Sequence, residues 1–292
     1  MLLHWFKSLF KDELWVFIYP QCMVFLRITR PLRNGLKQQI LHKQVVELPQ
    51  NIADKINESQ GLSVLTQHLK QVLTNKKWQG TTPIAIVSNE FTRYAVIPWN
   101  AELAVETERK AYMQHCFNLV YGDTAKTWDL RMSEPSFGHS AIASGINNGL
   151  LQALHDVFNA ADMTLSAVYP QLMLAINQTV SEVKKQNKPL SFWLVAIQSD
   201  RICLTLLIDG GWRSVKNVAI ETDVSAQVSA LIQREMVNCN VQDELPVLVY
   251  WPEYQRNQLL TLVNNKAIKV LPHQFDMQSR KTQNTTQDWA HA

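Results

Sequence analysis

SFWLVAIQSDRICLTLLIDGGWRSVKNVAI, residues 191–220, is the stretch on which the reading of this chain turns. It contains three runs rich in apolar, β-branched and aromatic residues, 191–196, 203–208 and 212–220. Ile197-Gln198-Ser199-Asp200-Arg201 and Asp209-Gly210-Gly211 separate them. Short apolar runs bounded by turn residues predict strands, and Asp-Gly-Gly supplies the positive φ values that a tight hairpin needs. The expectation is a three-stranded antiparallel meander whose last strand alternates Trp212, Ser214 and Lys216 with Arg213, Val215 and Asn217. Downstream, the periodicities predict helix 223–237, strand 245–250, helix 254–264 and strand 267–271, an order of βββαβαβ.

Upstream, 14–18 and 22–29 are apolar runs around Tyr19-Pro20-Gln21, a hairpin in which Pro20 fixes φ. Residues 44–48 are a candidate third strand. Leu62, Leu65, Leu69, Val72 and Leu73 lie on one face of a predicted helix over 61–77. Strands are predicted at 83–88 and 92–98, and Asn100 is expected to cap a long helix over 101–121. A strand over 127–132 alternates Trp128, Leu130 and Met132 with Asp129 and Arg131; 133–140 is loop and 145–160 helix. Gly145 and Gly149, spaced as G-x-x-x-G, read as close packing at that helix start. A strand over 163–168 returns to the sheet. Helix 170–186 follows, with Pro170 in its first turn, where a missing N–H costs nothing.

At 292 residues and 46% hydrophobic, the chain has material for a core shared by two units. A net charge of +3 with 18% charged residues lacks the concentrated basic field of a dedicated nucleic-acid binder. No apolar run is long enough to span a bilayer: residues 14–28 are interrupted by Tyr19-Pro20-Gln21 and Arg27. The start carries no secretory signal pattern, so a soluble or peripheral, cytoplasmic protein is expected. Cys22, Cys116, Cys203 and Cys239 sit singly in apolar runs, as reduced buried thiols do, and a zinc site is not expected. Leu2, Trp5, Phe6, Leu9 and Phe10 recur at helical spacing, giving a short amphipathic helix that either docks on the body of the fold or lies on a membrane or a partner. Residues 274–292 are polar and aperiodic and predict a disordered tail.

The two halves repeat one plan. A hairpin, a third strand, a helix, a strand and another helix follow in order from residue 14, and the same order runs through 191–271. The expectation is a mixed-sheet α/β protein with a duplicated RNase H-like fold. Residues 1–160 form the first lobe with the short N-terminal helix, 161–273 the second, and 274–292 the tail. A duplicated unit of this kind is the plan of the actin-like superfamily of actin, sugar kinases and heat-shock chaperones, which the chain resembles over nearly its whole length. Within it, the chain is similar to the PilM and MshI proteins and the cytoplasmic part of GspL. The residues that carry the resemblance are Arg93-Tyr-Ala-Val-Ile-Pro-Trp99, Phe117-Asn-Leu-Val-Tyr-Gly122, Trp128-Asp-Leu-Arg131 and Gly211-Trp-Arg-Ser-Val215.

The resemblance implies where chemistry would have to be. In ATP-using members the first hairpin turn of each half carries an acidic residue followed by Gly, so that backbone N–H groups approach phosphate and a carboxylate holds Mg²⁺ through water. Here those turns are Tyr19-Pro20-Gln21 and Gln198-Ser199-Asp200. Neither has Gly, Pro20 has no N–H, Tyr19 crowds the space, and only Asp200 offers a carboxylate, a residue also at home in ordinary turns. The adenosine turn of the family is glycine-rich; its counterpart here is Val249-Tyr-Trp-Pro-Glu-Tyr254. The expectation is a protein without cofactor or metal. It would be a non-catalytic scaffold of a type IV pilus, MSHA or type II secretion-like assembly that binds the cytoplasmic segment of an inner-membrane, PilN-like partner, by strand addition or in a groove. The alternatives are an active ATPase or kinase with diverged phosphate turns, and a stand-alone interaction module. Walker A, G-x-G-x-x-G, H-E-x-x-H and G-x-S-x-G motifs are absent, and His139 beside Ser140 is the one histidine with a neighbouring hydroxyl. Arg93, Trp99, Trp128, Arg131, Trp212 and Arg213, of residue types enriched at interface hot spots, are the candidate partner-binding set. Taken singly, each Trp could instead pack on its own sheet and each Arg reach solvent or a nearby acid.

Overall fold

A computed structural model describes residues 11–29, 39–49, 59–103, 105–134, 137–198, 201–242, 244–252 and 268–271. The chain runs through β1 (Glu13–Ile18), β2 (Cys22–Ile28), β3 (Ile40–Glu47), α1 (Ser59–Leu73) and β4 (Thr82–Val87). A small inserted unit follows, made of β5 (Thr92–Ile97), α2 (Glu106–Tyr121), β6 (Trp128–Met132) and β7 (Ala141–Asn147). Then come α3 (Asn148–Ala160), β8 (Ala167–Pro170) and α4 (Gln171–Lys185). The rest is β9 (Phe192–Gln198), β10 (Arg201–Ile208), β11 (Gly211–Ala219), α5 (Val224–Asn238), β12 (Val247–Tyr250) and β13 (Ile268–Leu271).

Two five-stranded sheets share one topology. The first is ordered β3-β2-β1-β4-β8 and the second β11-β10-β9-β12-β13. In each, the first three strands form an antiparallel meander and the last two join parallel to its leading strand. This is the two-lobed, RNase H-like arrangement expected from the repeat. The second-lobe meander closes at Asp209 (φ 50°) and Gly210 (φ 78°), two consecutive left-handed residues that the hairpin twist demands. β8 lies beyond the expected division at residue 160, yet it completes the first sheet by pairing with β4. The amphipathic segment 2–10, the predicted helix 254–264 and the tail 274–292 lie outside the described residues.

Both faces of each sheet are buried, which explains the near-continuous apolar reading of their central strands. On the first sheet Leu14, Val16, Ile18, Met23 and Phe25 pack against α1 and α3, while Phe17, Leu26 and Ile28 point the other way, toward Leu174 of α4. Leu172, Ala175, Ile176 and Val183 of α4 cover one face of the second sheet; Val228, Leu231 and Ile232 of α5 cover the opposite face. Thus α4 has contacts in both lobes. Tyr94 and Ile142 extend the α4-side cluster, so the inserted three-stranded sheet β5-β7-β6 packs on the second lobe through one face and holds α2 on the other, through Met113 and Phe117.

Three local expectations are corrected. Helix α2 begins at Glu106 and not at 101: Asn100 does not cap it, and its Oδ1 accepts from Glu102 N (2.9 Å) in a separate turn. Gly145 is not at a helix start but in β7, the central strand of the inserted sheet, which the small residues of Ala-Ile-Ala-Ser-Gly concealed. A Cβ at Gly145 would sit 2.9 Å from Leu130 Cδ2 and 3.0 Å from Trp128 Cε3, so its missing side chain is what lets Trp128 and Leu130 close over the strand. Helix α3 starts at Asn148, where Asn147 Oδ1 accepts from Gly149 N (2.7 Å) and Leu150 N (3.3 Å). The returning strand is Ala167–Pro170 instead of 163–168, with Pro170 as the N-cap residue of α4.

Candidate functional site: the junction between the lobes

The topology brings to one place the end of β4, the first turn of α4, the facing ends of β9 and β10, and the middle of β11. Asn89, 1% exposed, stands at the centre. Its Oδ1 accepts from Tyr94 OH (2.8 Å) and from Leu172 N (3.2 Å). Its own N–H donates to Gln198 Oε1 (3.1 Å), and its carbonyl accepts from Asn217 Nδ2 (2.7 Å). Gln198 Nε2 in turn donates to Gln171 Oε1, so both glutamines are buried and paired. One asparagine therefore links the first lobe, the inserted sheet, the connecting helix and the second lobe.

Beside it, Arg201 Nη1 meets Glu90 Oε2 at 2.8 Å, and Arg201 Nε donates to Asn217 Oδ1 at 2.8 Å. Asn217 Nδ2 also reaches Thr92 O (3.2 Å). Tyr121 OH donates to Tyr94 O (2.8 Å). Burial raises the phenol of Tyr94 well above its ordinary range, and burial likewise raises that of Tyr121. Buried amides and a largely buried ion pair that answer one another rigidify the junction.

The turns singled out from the sequence border this network. Tyr19 N donates to Cys22 O (2.9 Å), closing the first hairpin. The Tyr19 ring lies parallel to Phe17 (6.3 Å between centroids), and Tyr19 and Pro20 are buried while Gln21 is exposed. Gln198 is drawn into the junction; Ser199 and Asp200 lie outside the described residues. At the adenosine-turn counterpart Val249, Tyr250 and Pro252 are buried, and burial pushes the Tyr250 phenol up. Among the described residues no three His, Cys, Asp or Glu side chains gather as a metal site.

The six partner-binding candidates divide. Arg93 is pinned to backbone, donating from Nη1 to Glu90 O (2.8 Å) and Thr92 O (3.2 Å). Trp128 packs edge-on to Tyr121 (5.2 Å) within the apolar cluster under α2, and Trp212 packs on the second-sheet cluster. Arg131 is exposed and pairs with Asp129 (2.8 Å); Arg213 is exposed. Trp99 stands edge-on to Phe137 (5.2 Å) at the mouth of a cavity of about 60 Å³, which Ile97, Leu103, Arg109, Tyr112 and Met132 help to line. Phe137 and Arg109 were missed because one sits alone in a loop and the other on a helix without apolar periodicity. Asn89, Gln198 and Asn217 carried a weak sign, amides in or beside apolar strands.

Comparison with known proteins finds no matching family description and no matching curated protein. Solved structures do match in fold. The cytoplasmic domain of EpsL, an inner membrane component of the type II secretion system of Vibrio cholerae, aligns at 11% identity over 91% of this chain and 92% of its own, with a TM-score of 0.58. A PilM–PilN type IV pilus biogenesis complex aligns at 10% identity over 82% of this chain and 80% of its own, also at 0.58. A Bacteroides thetaiotaomicron protein of unknown function with the actin-like ATPase fold aligns at 11% identity over 86% and 85%, at 0.50. The chain has the actin-like ATPase fold.

Proposed function

We propose that this protein is a non-catalytic actin-like scaffold that holds the cytoplasmic segment of an inner-membrane, PilN-like partner in a pilus or secretion assembly. The observation that carries the first half is the junction network. Asn89, Gln198, Gln171 and Asn217 bond to one another between the lobes, and Gln198 belongs to a turn that, by resemblance, faces phosphate in the fold's ATP users. A triphosphate there would have to break these buried bonds, each expensive to leave unmade, and would meet Pro20, which offers no N–H. The second half draws support from the shared fold of the EpsL cytoplasmic domain and the PilM–PilN complex. No described helix is long and apolar enough to cross a membrane, and attachment would come through the partner.

Calorimetry with Mg-ATP tests the reading. Heats indistinguishable from dilution up to millimolar nucleotide are expected; saturable binding in the micromolar range would replace the scaffold with an ATPase or kinase of the same fold. Recovery of a single-pass membrane protein with this chain as bait supports the partner half, and recovery of soluble proteins alone overturns it.

A further inference from the structure

We propose that the open edge of β6 and the cavity beside Met132 form one docking groove for an extended partner segment that carries an aliphatic residue and, two positions on, a carboxylate. This rests on the scaffold reading and assigns it a surface. β6 is the outer strand of the inserted sheet, paired with β7 on one side only among the described residues. The hydrogen bond from Ser133 N to Ile142 O (2.9 Å) fixes the phase of that pairing. Asp129, Arg131 and Ser133 turn their backbone groups toward β7, so Leu130 and Met132 present N–H and C=O outward. An extended chain laid there gains a strand's worth of hydrogen bonds irrespective of its sequence.

Specificity comes from the end of the strand. The side chains of Leu130 and Met132 point to the α2 side of the sheet, where they join Met113 and Phe117. A residue of the added strand on that same side reaches the cavity bordered by Met132, Tyr112 and Arg109. At about 60 Å³ this cavity is well below the ~150 Å³ that takes a benzene ring, so its size favours an aliphatic side chain over an aromatic one. The Arg109 guanidinium at its wall makes no ion pair within 4.0 Å among the described residues: it acts on Glu106 only at longer range, and that carboxylate is paired with neighbouring Lys110 at 2.7 Å. A half-buried cation with no ion pair among the described residues, at the mouth of an apolar hole, selects a carboxylate two residues from the aliphatic anchor, the spacing that puts both side chains on one face of the strand. Trp99 and Phe137, 36% and 88% exposed, supply the apolar rim. Among the described residues β3 also ends its sheet and exposes Ile40, Leu41 and Val45.

The test uses the full chain and three fluorescein-labelled, C-terminally amidated peptides, TVTVLTD, TVTVLTK and TVTVATD, read by fluorescence anisotropy. TVTVLTD is expected to bind at least 10-fold more tightly than either of the others. Arg109→Glu should reverse the preference between the Asp and Lys peptides, and methylating alternate peptide amides should abolish binding. Arg109 is half-buried on a helix surface, and an unchanged melting curve for the variant confirms its fold. Equal affinity for all three peptides, or a preference that Arg109→Glu leaves untouched, overturns the proposal. The two readings fail separately: peptide indifference with no response to Mg-ATP removes this groove alone, and ATP binding with peptide selectivity intact removes the scaffold alone.

Discussion

Replacing Asn89 by Ala should uncouple the lobes, and the cost follows from what the side chain does. Its Oδ1 accepts from Tyr94 OH and Leu172 N, both at buried positions, while the bonds made by the Asn89 backbone survive truncation. Each orphaned buried donor costs about 1–3 kcal/mol, so the variant should lose about 2–5 kcal/mol. Tyr94→Phe removes one hydroxyl and leaves Asn89 Oδ1 still served by Leu172 N, at about 0.5–1.5 kcal/mol. In the double variant no phenol remains to be stranded, so its loss should fall short of the sum by about 1–2 kcal/mol. Urea unfolding followed by tryptophan fluorescence measures all four corners of the cycle, and the nine tryptophans give ample signal. An Asn89→Ala variant within about 0.5 kcal/mol of the parent, or strict additivity, would refute the claim that this residue ties the junction.

Three further outcomes are expected. Arg201→Met strands Glu90 and Asn217, whose partner is about four-fifths buried, and should cost about 2–3 kcal/mol in the same unfolding assay, with Glu90→Gln in the background of Arg201→Met costing almost nothing more. Gly145→Ala drives a methyl to 2.9–3.2 Å from Leu130, Trp128 and Phe117, for a loss of about 1–3 kcal/mol that Phe117→Leu partly relieves; a neutral Gly145→Ala would contradict the packing described. Burial pushes the Cys203 thiol from an ordinary 9.0 up to about 12. The folded state therefore holds that proton where the unfolded chain releases it, so stability is full below pH 9.0 and falls as pH rises toward 12. Tyr94 and Tyr121, also raised by burial, act in the same direction. Cys203→Ala should make the alkaline arm of the stability profile shallower, and a profile flat through that range would count against the burial.

How much of this was legible in the chain depended on the range of the interaction. The second-lobe meander could be read because its signal is local: three apolar runs and an Asp-Gly-Gly turn, realised at Asp209 and Gly210. The duplication followed from comparing two such local patterns. β7 escaped because a central strand of small residues carries no alternation to see, and its need for Gly145 arises from Phe117, Trp128 and Leu130, which fold onto it from other elements. α2 was begun too early because Asn100 has the chemistry of a cap; it makes a turn there, and Glu106 and Glu108 mark the real first turn. The bulk of Tyr19 and Pro20 at the first hairpin turn could be read from the chain, but what fills the junction could not. Asn89 meets Gln198 across 109 residues and Asn217 across 128, distances at which sequence alone pairs nothing.

That network also bears on what motions the fold can use. A ligand shifts a two-state equilibrium only by the difference between its affinities for the two states. A cleft that opens and closes around a ligand needs polar groups that are free in one state and engaged in the other. Here Asn89, Gln171 and Gln198 are engaged with one another and with Leu172 at the start of α4, the helix that contacts both sheets. Parting the lobes would strand several buried amides at once, at about 1–3 kcal/mol for each, with no nucleotide contacts proposed to offset the loss. On the scaffold reading proposed above, a protein so tied presents a fixed surface, and its regulation acts on what reaches that surface. The inserted unit fits this, because it is held to the second lobe by Tyr94 and Ile142 while the outer edge of its sheet is unpaired among the described residues. Loosening the junction with Asn89→Ala should therefore lower stability without changing the affinity of the β6 edge for the TVTVLTD peptide at temperatures where the variant remains folded.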